Sequence, residues 1–112
     1  MAAVIETEAR VALAAGEHRH ARELAVQARK LAERSGNEMA RLAAMVTEAR
    51  SLRAEGDRAA AEEQFAAAAR AAHDGRVPTR LREVLREWAD MRADAGDHRG
   101  AYELTAEALT VN

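Results

Sequence analysis

Three glycines spaced forty residues apart constrain this chain more than any other feature. Gly56 is followed by Asp57, Arg58, Ala59, Ala60 and Ala61, and then by Phe65 and Ala68. Gly16-Glu17 leads in the same way to Ala21, Ala25 and Ala28, and Gly96-Asp97 to Ala101, Thr105 and Ala108. In each copy an acid follows the glycine, one alanine sits five residues on and another twelve on. Upstream, Thr7-Glu8-Ala9-Arg10 recurs letter for letter as Thr47-Glu48-Ala49-Arg50. A fixed period of this length marks a repeated supersecondary unit in which each copy covers the apolar face of its neighbour.

Gly16, Gly36, Gly56, Gly75 and Gly96 divide the chain into six segments, and each reads as a stop just past a helix end. Between them stand Ala, Leu, Arg, Glu and Gln, all strong helix formers, with no alternating β-branched run. Six helices are expected, over about 3–15, 18–34, 38–54, 58–73, 78–95 and 98–109. The expected inward stripes are Ile5, Ala9, Ala12 and Leu13; Ala21, Leu24, Ala25, Ala28 and Leu31; Leu42, Met45, Ala49 and Leu52; Ala61, Phe65, Ala68 and Ala72; Leu81, Val84, Leu85, Trp88 and Met91; and Ala101, Leu104, Thr105, Ala108 and Leu109. Asn37 and Asp57 are expected N-caps, with Glu17 and Asp97 in the same slot, and Pro78 suits a first turn. Short connections force consecutive helices antiparallel.

Hydrophobic residues are 48% of the chain, but much of this is alanine, so the core is thin and relies on close helix approach. Net charge −2 argues against a dedicated nucleic-acid binder. With no cysteine there is no disulfide, thiolate site or thiol nucleophile. Residues 1–6 lack the basic start of a signal peptide, and no apolar run approaches a membrane span, so a soluble cytoplasmic protein is expected. Heavy Ala and Arg usage fits a bacterial chain.

These residues resemble tetratricopeptide repeats. The small residue of the family's first helix is matched by Ala9, Ala49 and Ala89; its turn by Gly16-Glu17, Gly56-Asp57 and Gly96-Asp97; and its Ala–aromatic–Ala triplet most fully by Ala61, Phe65 and Ala68. Trp88-Ala89 resembles the large-then-small pair of the first helix. The period is forty rather than the family's thirty-four, which is similar to the longer-helix variety in bacterial regulators and peptide-sensing proteins. Ala25 and Thr105 stand where the aromatic is expected. The resemblance implies an all-α domain over 1–112, built as three antiparallel helix hairpins (about 1–36, 37–76 and 77–112) stacked into a short right-handed α-solenoid.

It further implies a concave peptide-binding groove lined by the first helix of each hairpin. The groove positions would be Glu6, Arg10 and Leu13; Val46, Arg50 and Arg53; and Arg86, Asp90 and Ala93. Arg10, Arg50, Arg53 and Arg86 would form a basic strip suited to an acidic segment or a C-terminal carboxylate, since guanidinium forks pair with carboxylates. The competing reading is an ordinary solvated face of a charge-rich helix. The Lys and Asn clamp of chaperone-binding members has no match.

His18 and His20, two apart on a helix, point to different faces and read as turn residues rather than metal ligands. Glu62-Glu63 and Glu87/Asp90 read as surface acids, with no pocket to tune them for catalysis. Trp88 is expected in the core and Tyr102 part-exposed. The expectation is therefore a non-catalytic, cofactor-free and metal-free module that binds a protein or peptide within a bacterial regulatory or signalling system, without direct nucleic-acid or membrane contact. Two alternatives stand beside it: a unit that homodimerises through its end helices, which carry Leu104, Ala108, Leu109 and Val111 at one end, and the sensor portion of a transcription regulator.

Overall fold

The computed structural model describes residues 1–112 and contains six helices: α1 (Ala2–Ala14), α2 (His18–Ser35), α3 (Glu38–Ala54), α4 (Arg58–Asp74), α5 (Pro78–Asp94) and α6 (His98–Leu109). Consecutive helices are antiparallel, and no helix is long and apolar enough to cross a membrane. The chain divides into two compact units, Met1–Gln64 and Phe65–Asn112, with the boundary inside α4.

The connections share one geometry. The backbone N–H of Glu17, Asn37, Asp57, Val77 and Asp97 donates to the carbonyl of Ala12, Ala32, Leu52, Ala72 and Arg92 respectively, at 2.8–3.0 Å. Just before each donor sits a left-handed residue: Gly16, Gly36, Gly56, Arg76 and Gly96. The donor itself is the N-cap of the next helix, and the Asn37, Asp57 and Asp97 side chains accept from the N–H three residues on. One turn thus satisfies orphan carbonyls of the outgoing helix and orphan donors of the incoming one. It recurs every twenty residues, so the backbone period is half the forty visible in the side chains.

Gly75 departs from its expected role. It stands one residue short of the register, its N–H still bonds helically to Ala71, and Arg76 takes the left-handed position at φ 57. A side-chain-bearing residue pays about 1–2 kcal/mol there that glycine does not. Helix spacing therefore overrides residue preference at this turn.

Within the first unit α2 packs against both α1 and α3, and α1 also touches α3 directly. The contact line of α2 is Ala21, Ala25, Ala28 and Ala32, all fully buried, while the expected Leu24 and Leu31 are half-buried on its flanks. On α1 the buried line is Ala2, Glu6, Ala9 and Ala12, with Ile5 and Leu13 only half-buried. Small side chains take the line of closest approach, and the larger ones wedge in beside it. α3 is buried on every face from Ala44 to Ala49. In the second unit α5 packs on α6. Ala61 in the first unit, and Phe65, Ala68, Ala72, Leu81, Val84, Leu85 and Met91 in the second, are buried as expected, whereas Thr105 and Leu109 are exposed.

Arg76→Gly should stabilise the protein by about 1 kcal/mol, and Gly56→Ala should destabilise it by a similar amount. Urea-denaturation midpoints check both; a lower midpoint for Arg76→Gly would assign Arg76 a compensating side-chain role.

Candidate functional site

The expected groove residues fall in both units. In the first, Glu6 and Arg10 lie on α1 and Val46, Arg50 and Arg53 on α3, the two helices that touch directly. Two assignments need correction. Val46 has no exposed surface and offers nothing to a ligand. Glu6 is buried as well: Thr47 Oγ donates to its carboxylate at 2.9 Å, and Arg10 Nε lies 3.0 Å from the same oxygen. Glu6 is thus a buried holder that fixes the exposed Arg10 guanidinium. Leu13, Arg50 and Arg53 are half-buried. In the second unit Arg86 and Asp90 are exposed on α5 and Ala93 is half-buried.

The α2/α3 contact carries a polar ladder that the sequence reading missed. Arg22 forks onto Glu55, with Nε at 2.6 Å and Nη2 at 3.3 Å from its two oxygens. Arg29 Nε lies 3.5 Å from Glu48, and Arg29 Nη1 lies 3.1 Å from Glu33. Arg22 and Arg29 are seven residues apart, as are Glu48 and Glu55, so the pairs meet two turns apart on antiparallel helices. Burial pushes the Glu48 carboxyl above its ordinary range, opposed by Arg29 and Arg22. The exposed Glu38 is held below its ordinary range by its bond to Arg41, at 2.7 Å.

In the second unit Trp88 is half-buried rather than fully in the core. The Arg92 guanidinium stacks 4.7 Å from its ring centroid, while the indole N–H is buried without a hydrogen-bond partner. An open cleft of about 480 Å³ lies among Ala72, Arg76, Pro78, Leu81 and Val111. His20 and His73 are exposed and His18 is half-exposed. No cluster of three or more His, Cys, Asp or Glu side chains with metal-holding geometry occurs.

These features define an all-α chain of six consecutive antiparallel helices in a twenty-residue register, with a tethered arginine on α1 and a partly buried ionic ladder between α2 and α3. No protein-family model, curated protein or solved structure matches it.

The only sequence signal for the tethered arginine was an acid at position 6 on an otherwise alanine line. The ladder's signal was the seven-residue spacing of opposite charges on successive helices.

The Glu48 titration has a definite sign. Its folded pKa is raised, so the native state binds this proton more tightly than the unfolded chain does. Its contribution to stability therefore falls as pH rises from the ordinary glutamate value through the raised one. The lowered Glu38 pKa acts oppositely, adding stability that is lost as pH falls through its folded value. Stability of the native protein relative to Glu48→Gln should decline as pH is raised from about 4 to about 7, measured by urea denaturation. A rise would mean that Arg29 outweighs burial at this site.

Proposed function

We propose that this chain is a tetratricopeptide-like helical-repeat module that holds an acidic segment of a partner protein or peptide and performs no catalysis itself. The observation that carries the reading is the direct packing of α1 on α3, bridged by the Thr47–Glu6 bond. First helices of successive hairpins that touch side by side are what a repeat groove is built from. Twenty-residue spacing of the turns and burial of Ala9, Ala49 and Ala89 support the same reading.

Arg10 gives the surface its chemistry. A guanidinium held at one edge by a buried carboxylate has lost part of its rotamer freedom before any ligand arrives. Less conformational entropy then remains to be lost on binding. Arg10 Nη2 also reaches Thr7 Oγ at 3.4 Å, and with 55% of the side chain still exposed the outer guanidinium edge suits a carboxylate. Arg50 stands forty residues on from Arg10 on the neighbouring first helix.

Fluorescence anisotropy against a panel of labelled acidic, neutral and basic peptides tests this. Acidic peptides should bind preferentially and weaken with salt, and Arg10→Glu should reduce affinity by about tenfold. Equal binding of acidic and basic peptides, or no binding to any, would overturn the assignment.

A further inference from the structure

We propose that the outer faces of α1 and α6 are the two halves of one head-to-tail interface, so that α6 of one copy packs on α1 of a second copy. This inference does not rest on the peptide-binding reading. It rests on which residues occupy equivalent positions in the forty-residue period.

The internal α2/α3 contact supplies the template. Ala44, Glu48, Ser51 and Glu55 share one face of α3, with Arg29 and Arg22 of α2 meeting Glu48 and Glu55. Ala44, Glu48 and Ser51 are buried. Forty residues earlier, the same face of α1 carries Val4, Glu8, Val11 and Ala15, and all four are exposed. Eighty residues after Arg22 and Arg29, the corresponding face of α6 carries Tyr102 and Leu109, and both are exposed. Ala69 of α4, forty residues before Leu109, is buried. The face that carries Leu109 is therefore half-buried at its α2 equivalent, buried at its α4 equivalent and open on α6.

The chemistry of the open faces differs from that of the template in a way that fits association between molecules. Where the internal contact sets Arg22 against Glu55, the equivalent pair between copies is Tyr102 against Ala15. Where it buries Ala44 and Ser51, α1 offers Val4 and Val11. Val4 is 57% exposed, Val11 65%, Tyr102 73% and Leu109 80%, so four of the six exposed large hydrophobic residues lie on these two faces. Glu8 is the one charge in the set, and it falls opposite Leu109. Because the two faces differ, the contact is heterologous, and successive copies form a ring if the rotation closes and an open chain if it does not.

Light scattering across a dilution series, from low micromolar to submillimolar, reads the association directly. The wild-type mass should rise with concentration. Val4→Glu with Val11→Glu on α1, and separately Tyr102→Glu with Leu109→Glu on α6, should each lower the association constant at least about tenfold. Glu8→Gln should strengthen association several-fold. An equimolar mixture of the two double variants should give one-to-one dimers and nothing larger, because each retains the face that the other has lost. That recovery also shows that both variants are folded. A wild type that stays monomeric throughout, a single-face variant that still dimerises at wild-type strength, or a mixture with no dimer would overturn the proposal; the second outcome would point instead to a symmetric contact through the unaltered face.

Discussion

Everything in this chain hangs on one hydrogen bond made five times. The N–H of each N-cap residue reaches back five positions to a helical carbonyl, across a residue in the left-handed conformation. That bond ends one helix and starts the next within two or three residues. Because it recurs every twenty residues, helices α2 to α6 all begin in the same phase. Equivalent positions on different helices then present the same face, which is what makes a repeat in sequence a repeat in contact. Arg76 shows the strength of the constraint. With a glycine available next door, the chain keeps the register and places an arginine in the strained conformation.

The contact lines are alanine because the helices approach closely, and close approach has an energetic consequence. Alanine removes little apolar area from water, so each interface of the first unit stabilises modestly at about 25 cal/mol per Å². Polar groups supply definition instead. α3 buries Thr47, Glu48 and Ser51, each with a partner: Glu6, Arg29 and the Thr47 carbonyl. Buried ionic groups add little net stability, but leaving one unpaired is expensive. The α2/α3 ladder therefore works against axial slippage, since a shift of one turn would strand Glu48 in the interior without Arg29.

Helix number, boundaries and antiparallel order were legible in the sequence to within a residue or two, because glycine stops, N-cap residues and helix formers agree at each junction. Gly75 misled because the register, not the residue, sets the left-handed position. The candidate site was less legible. Thr7-Glu8 and Thr47-Glu48 are identical in letters, yet the first pair is exposed and the second buried. The difference is that α3 has helices on more than one side while α1 has an open face, and no local pattern encodes that. Val46 was placed outward for the same reason. Glu6 and Trp88 defeated the pattern differently: one is a charge whose burial is offset by a partner forty-one residues away, the other an aromatic left half-open beneath an arginine.

The geometry of α1 bears on how its two proposed surfaces coexist. At about 100° per residue, Val4, Glu8, Val11 and Ala15 fall within one narrow arc, and Arg10 lies on the other side of the helix. The buried line of Ala2, Ala9 and Ala12 runs between these arcs and is taken up by packing within the unit. A second copy docked on the valine arc would therefore leave the Arg10 side open. Head-to-tail assembly would then repeat that arginine surface from copy to copy rather than cover it. A weak site repeated along an assembly gains by effective concentration when its ligand carries several acidic segments. Thin alanine interfaces, a tethered arginine and an apolar face on another side of the same helix are compatible on that basis, because the assembly, not the single site, would set the strength of the proposed binding.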